Sequence, residues 1–230
     1  MKVHSGRFKV VSSKPLPVEL DEENLPALEQ GAANLKAHID IVHRFGVPVV
    51  VCINRFPSDT PAEIDLVGKI ALEAGAEAVA VSESFPRGAD GGKAPAEAVR
   101  AVCRATDNHF HPLYAPDASL QDKIEAIATQ VYGAGEVRYE AGVRSRLKLY
   151  ERWGFRRIPV CFAKTQFSLS ESQGCSTGVY SAHHGCSARV GARFVRVLCG
   201  DIMTMPGLPA EPAAVKMDVA ESGQITGASW

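Results

Sequence analysis

The amino-acid sequence predicts an α/β fold, a layered and mostly parallel sheet followed by a smaller α+β region. Three patterns carry that prediction. Apolar residues recur at helical spacing in several stretches, short continuous runs of β-branched residues fall between them, and glycine or proline marks most junctions. Helical and extended segments that alternate in this way suit strands joined by crossover helices.

The opening residues, Met1 to Asn24, are polar, and Pro15 and Pro17 argue against helix there. From Leu25 onward, Leu28, Ala32, Leu35, Ile39 and Val42 form the stripe of one amphipathic helix. Gly46 stops it and Pro48 prevents continuation. Val47–Ile53 is continuously apolar, the pattern of a strand covered on both faces. Thr60-Pro61-Ala62-Glu63 has the chemistry of a helix start: Thr60 caps, Pro61 suits the first turn, and Glu63 closes a capping box. That helix should reach Ala74, with Gly75 ending it. Ala78–Val81 is a second buried strand, Ser84–Gly92 a loop rich in Gly and Pro, and Pro95–Ala105 another helix.

Asp107–Ser119 is looser and separates a first unit, residues 1–113, from a second, residues 114–230. In the second, Leu120, Ile124, Ile127, Ala128 and Val131 mark a helix before Gly133. Val143, Leu147 and Tyr150 mark another before Gly154. Ile158–Phe162 and Phe194–Leu198 are strands, and Val215–Val219 and Gln224–Thr226 flank a hairpin turn at Glu221-Ser222-Gly223.

Bulk properties narrow the function. The 230 residues are 46% hydrophobic and 22% charged, an ordinary globular balance. A formal net charge of −1 gives no field for nucleic acid or an anionic membrane. The densest basic cluster, Arg144, Arg146 and Lys148, reads as the solvated face of a helix. The longest apolar run is too short to cross a bilayer. Cysteines stand at 52, 103, 161, 175, 186 and 199 with no CxxC pair, and no signal-peptide pattern opens the chain, so a reduced cytoplasmic setting is expected. Cys52, Cys161 and Cys199 lie in apolar runs, where a thiol acts as a small hydrophobe.

Ligands gather at the carboxyl ends of strands in open parallel sheets. Two such exits matter here: Asn54-Arg55-Phe56-Pro57, and Ser82 to Gly88 with Phe85-Pro86. Either the two phenylalanines plug the sheet edge, or they clamp a flat heteroaromatic ring between apolar faces. Gly88-Ala89-Asp90-Gly91-Gly92-Lys93-Ala94 invites comparison with the phosphate loop GxxxxGK[ST] but has one residue too few and no hydroxyl after the lysine. No nucleophile elbow GxSxG occurs. Cys175, His183, His184 and Cys186 have a spacing that fits no usual zinc pattern, so no metal site is assigned.

Several blocks together resemble formate–tetrahydrofolate ligases. They are Asn34-Leu35 with His38-Ile39, Phe45 to Val51, Ile53 to Thr60, Asp122-Lys123-Ile124, and Val131-Tyr132-Gly133-Ala134. Ile158 to Cys161, Ala163-Lys164-Thr165-Gln166 and the long irregular run Gly200 to Pro209 extend the likeness. The resemblance implies a phosphate-loop-NTPase-like ligase fold, of which this chain is the carboxyl-terminal part. It implies a reaction in which formate, ATP and tetrahydrofolate give 10-formyltetrahydrofolate, ADP and phosphate. Magnesium with ATP, a monovalent cation and a homotetramer are further implied. Lys2-Val3-His4-Ser5-Gly6 resembles the tail of a mid-chain family signature, so the family's phosphate loop is expected to lie outside this sequence and the chain to be inactive alone. No catalytic residue is assigned; the substrate or nucleotide ring falls to Asn54, Phe56, Pro57 and Phe85, with Phe85 at a position where the family commonly has tryptophan. A non-catalytic ligand-binding or subunit-contact module, working with a separate amino-terminal chain, is the alternative.

Ser181–Arg193 departs from the family pattern. Codons able to encode Ser181–Ala188 also admit, one base out of frame, Pro-His-Ile-Thr-Asp-Val-Arg-Leu, which is family-like. A local frame disruption is therefore expected, with a poorly formed strand.

Overall fold

A computed structural model describes residues 1–5, 17–164, 180–182, 186–189, 191–199, 210–223 and 225–227. The architecture is mixed α/β, built from helices and small sheets.

The first helical stripe is two helices, not one. α1 (Leu25–Gly31) is capped by Asn24, whose side-chain oxygen accepts from the Ala27 N–H at 3.0 Å. At Ala32 the N–H turns to the Glu29 carbonyl, a tighter bond that separates α1 from α2 (Ala33–His43). Gly46 then takes φ +69°, and a Cβ there would overlap the His109 carbonyl, so both the turn and the crossing of a later segment require glycine. The adjacent tie is the His111 N–H donating to the Phe45 carbonyl at 3.0 Å.

β1 (Val50–Asn54) starts later than Val47 because Pro48 lacks a donor and the Val49 N–H goes to the Glu77 carboxylate. β1 pairs in parallel with β2 (Ala78–Ser82), in register from Val50 with Ala78 to Asn54 with Ser82. The crossover is α3 (Pro61–Glu73), which starts with the expected capping box. Its apolar face meets α1 and α2 in one cluster around Leu28, Ala32 and Ile70, and meets β1 and β2 around Ile39, Ala71 and Ala76.

The Gly- and Pro-rich loop expected over Ser84–Gly92 is largely helical. It forms α4 (Ser84–Gly91), bent at Gly88 where φ is 55°. The Glu83 N–H donates to the Gly91 carbonyl at 3.1 Å, and a Cβ on Gly91 would overlap the Glu83 backbone. Closure of the segment on itself is thus what the glycines permit. α5 (Lys93–Ala105) follows and packs against β2 and β1.

Further along the chain, Ser119 caps α6 (Leu120–Gln130) by accepting from the Asp122 N–H at 3.0 Å. β3 (Val137–Tyr139), α7 (Val143–Arg152) and β4 (Val160–Ala163) come next. β5 (Tyr180–Ala182) pairs in parallel with β3. β7 (Phe194–Leu198) lies between parallel β4 and antiparallel β6 (Cys186–Arg189). Thus Cys186–Arg189, where a poorly formed strand was expected, is a paired strand; His183, His184 and Cys175 lie outside the described residues. The core here joins Leu120, Ile124, Val143, Leu147, Val160, Val195, Val197 and Cys199. The terminal hairpin is shorter than expected, β8 (Asp218–Val219) with β9 (Ile225–Thr226), because Ala213–Lys216 is a 3-10 turn.

Among the described residues, one charged side chain is wholly enclosed. Lys123 is 0% exposed, and its ammonium donates to the Pro116, Arg156 and Ile158 carbonyls at 2.7, 2.7 and 3.1 Å. All three of its donors are used. Burial pulls its pKa below the ordinary lysine value, aided by the nearby Arg156 and Arg157 cations.

The cysteine expectation needs correction: Cys199 is buried, but Cys52 and Cys161 are exposed. Each points off a strand face that nothing among the described residues covers fully. Arg144, Arg146 and Lys148 are exposed as expected, with the Arg144 guanidinium 4.9 Å from the Tyr139 ring centre. Among the described residues, no helix is long and apolar enough to cross a membrane.

Candidate ring-binding site

Because β1 and β2 are parallel neighbours, their carboxyl ends open side by side. The register that aligns Asn54 with Ser82 brings Arg55 beside Glu83, one residue beyond each strand. Their side chains form an ion pair at 3.1 Å, and the Arg55 N–H donates to the Ser82 carbonyl at 3.0 Å. Glu83 also takes Arg87 from the first turn of α4, at 3.0 Å. These pairs are open to water and hold geometry more than they add stability. They tie the two exits together.

At the β1 exit the chain turns sharply. The Phe56 N–H donates to the Asp59 carboxylate at 2.7 Å, and the Asp59 N–H returns to the Phe56 carbonyl at 3.0 Å. This turn presents the Phe56 ring outward, 59% exposed. Asn54 and Phe56 share the wall of a cavity of about 300 Å³ with Met1, Lys2, Asp59 and Glu63. Its apolar side comes from Leu28, Leu35, Ile64 and Val67.

Pro57 and Phe85 are not among that cavity's lining residues. Phe85 stands in the first turn of α4, 76% exposed, at the neighbouring strand exit. The structure therefore gathers Asn54 with Phe56 and sets Phe85 across the Arg55–Glu83 bridge. A second hollow of about 310 Å³ lies between the exits, lined by Arg55, Pro61, Ile64, Asp65, Val81 and Glu83.

Glu63 is the charged hub of the site. It is 3% exposed, pairs with Lys2 at 2.9 Å, and accepts from the Asn24 and Thr60 N–H groups at 3.1 and 3.4 Å. Burial alone would push its carboxyl up, but the Lys2 ammonium and these two backbone donors outweigh it and hold the pKa below the ordinary carboxylate value. The sequence marked Glu63 only as a capping residue. The Arg55–Glu83 bridge was likewise missed; its signal was the matched position of two charges just past adjacent strands.

Among the described residues no group of three His, Cys, Asp or Glu side chains is gathered to hold a metal. Among those residues, magnesium and a monovalent cation are therefore assigned no ligands.

A sequence model of the formate–tetrahydrofolate ligase family matches residues 1–229. The formate–tetrahydrofolate ligase of Roseiflexus sp. (strain RS-1) is 44% identical over 232 residues, which cover 100% of this chain and 41% of that protein. That of Desulforamulus reducens is also 44% identical, over 99% of this chain and 40% of its own length. That of Saccharopolyspora erythraea is 43% identical, over 100% and 41%. This chain thus spans about two fifths of the relatives it matches. With a match that runs over residues 1–229 and includes each strand exit, the chain belongs to the formate–tetrahydrofolate ligase family.

Proposed function

We propose that this chain is part of an ATP-dependent ligase joining formate to tetrahydrofolate, and that residues 1–113 hold the flat ring of a substrate. The observation that carries this reading is the pair of adjacent parallel strand exits, each bearing an aromatic residue, inside a family match over residues 1–229. Asn54, Phe56, Pro57 and Phe85 are the ring-binding residues. Phe56 supplies a π face at the mouth of an apolar cavity, Asn54 an amide beside it, Pro57 a rigid edge, and Phe85 a second face from the neighbouring exit.

In the reaction, a formate oxygen attacks the γ-phosphorus of ATP and the bond to ADP breaks, giving formyl phosphate. An amine of tetrahydrofolate then attacks the formyl carbon, phosphate leaves, and the amine loses a proton. Positioning and positive charge do most of this work. The phosphate loop, magnesium and monovalent-cation ligands belong, in this reading, to the layered phosphate-loop-NTPase-like sheet outside the spanned portion. The isolated chain then binds a ring without turning over. A reduced cytoplasmic setting, a homotetramer and a division at 113/114 complete the proposal.

Titration calorimetry tests it. The chain should take up tetrahydrofolate or ATP with a Kd that weakens in Phe56→Ala, and should show no ligase activity until the remainder of the family polypeptide is supplied. Zinc binding without either ligand would overturn the reading. If the remainder restores activity but the chain alone binds neither ligand, a non-catalytic contact module is the better description.

A further inference from the structure

Phe56 stands at the carboxyl end of β1; a second and larger hollow lies toward the amino end. Phe45 closes the turn after α2, leads through Gly46–Val49 into β1, and lines a cavity of about 400 Å³. Arg157 and Pro159, just before β4, line it too, together with part of the connecting segment that includes Phe110 and Tyr114. The opposite wall comes from Lys123, Ile127 and Val131. Their spacing of four sets them on one face of α6 and its cap. This cavity shares no lining residue with the one at Phe56.

Its walls are fixed without any ligand. The His111 N–H donates to the Phe45 carbonyl at 3.0 Å, and the Phe110 N–H to the Asn108 side chain at 2.9 Å. The Phe45 and Phe110 rings are thereby held within 5° of parallel, their centres 6.5 Å apart, which sets one orientation for a flat guest. Pro112, Pro116 and Pro159 stiffen the rim, and the Lys123 ammonium holds the Pro116 carbonyl at 2.7 Å. A preformed apolar hollow of this volume suits a small ligand, because little has to be ordered on binding.

The polar groups narrow the class of ligand. Apart from the Tyr114 hydroxyl, no lining side chain can accept a hydrogen bond. Adenine or a pterin, whose ring amines need acceptors, would bury donors unsatisfied. The two lining cations act differently. All three Lys123 donors are spent on backbone carbonyls, so it contributes positive field and no bond to a guest. Arg157 is exposed, and its guanidinium makes no hydrogen bond or ion pair among the described residues. Its planar donors match the two oxygens of a carboxylate. We propose that this cavity binds a flat aromatic carboxylic acid as its anion, with the ring against Phe45, Phe110 and Ile127 and the carboxylate on Arg157.

Calorimetry of the 230-residue chain with 1-naphthoate tests this, against 1-naphthalenemethanol as the uncharged counterpart. The carboxylate should bind one to one with a Kd of about 0.1 mM, and the alcohol about tenfold more weakly. Arg157→Gln should weaken 1-naphthoate about tenfold and leave the alcohol unchanged, while Phe110→Ala should weaken both. Phe110 is 61% exposed and Arg157 is unpaired, so neither variant should lower Tm. In methyl NMR spectra the Ile127 signal should move with ligand while those of Ile53 and Ile64, which lie at the other cavity, stay in place. No binding up to about 1 mM, equal affinity for the two probes, indifference to Arg157→Gln, or shifts at Ile53 and Ile64 instead would each overturn the proposal. Loss of 1-naphthoate binding on adding the remainder of the Roseiflexus sp. polypeptide would also overturn it, and would assign the cavity to a contact between polypeptides.

Discussion

Two side chains show how single residues hold this molecule, and each yields a measurement. Glu63 is nearly enclosed, and its carboxylate is matched by Lys2 and two backbone donors. Its folded pKa lies below the ordinary 4.5, so below that value the unfolded chain binds more protons. Its contribution is therefore present above 4.5 and lost as pH falls through the folded pKa. Urea midpoints should fall with acid over that window, and the fall should be shallower in Glu63→Gln; equal slopes would remove Glu63 as the cause. Phe56 is the opposite case, a large apolar ring left in water. If it stacks on a ligand ring, Phe56→Ala should cost about 1 kcal/mol, or a roughly fivefold weaker Kd by calorimetry. Phe85→Trp, which enlarges the second face, should tighten binding. An unchanged Kd in both variants would mean the rings only plug the sheet end.

At the scale of elements, α3 joins local chemistry to the site. Thr60 accepts from the Glu63 N–H at 3.3 Å, and its hydroxyl donates to Glu23 at 2.6 Å. Thr60→Ala should cost about 1 kcal/mol in thermal unfolding, and Thr60→Ser should recover most of it. This helix was legible because its start signal is local: Thr, Pro and Glu at fixed offsets suffice. β1 was legible from its apolar run, and the parallel pairing that brings Phe56 and Phe85 to adjacent exits followed from the alternation of elements. α4 was not legible. Its Gly88 and Gly91 read as loop residues, yet the bend at Gly88 and the Glu83–Gly91 closure make them the condition for a helix there. β3 was missed because a short strand takes its identity from a partner distant in sequence, and periodicity carries no such information. The Glu63 hub escaped for the same reason: Lys2 and Asn24 reach it from far along the chain.

For the whole molecule, the buried clusters fall on either side of the segment 107–119. Leu28, Ile39, Ile70 and their neighbours form one group, and Leu120, Ile124, Leu147, Val195 and theirs another. That separation supports the proposed division at 113/114, and Lys123 offers a way to test it. Its ammonium gathers carbonyls from Pro116, Arg156 and Ile158, so it fastens the entrance of the second unit to the turn after α7. Arg156 reinforces the same junction by donating to the Asp117 carbonyl at 2.7 Å. Lys123→Met keeps the apolar stem but leaves three carbonyls short of a partner, at a cost of about 3 kcal/mol or more. Because none of those carbonyls belongs to the first unit's clusters, the loss should fall on one unfolding step only. Urea unfolding followed by Trp153 fluorescence, which reports the second unit, should shift to lower denaturant. Exchange at the β1 and β2 amides should keep its native midpoint. A common shift in both would make the chain a single cooperative unit and remove the boundary.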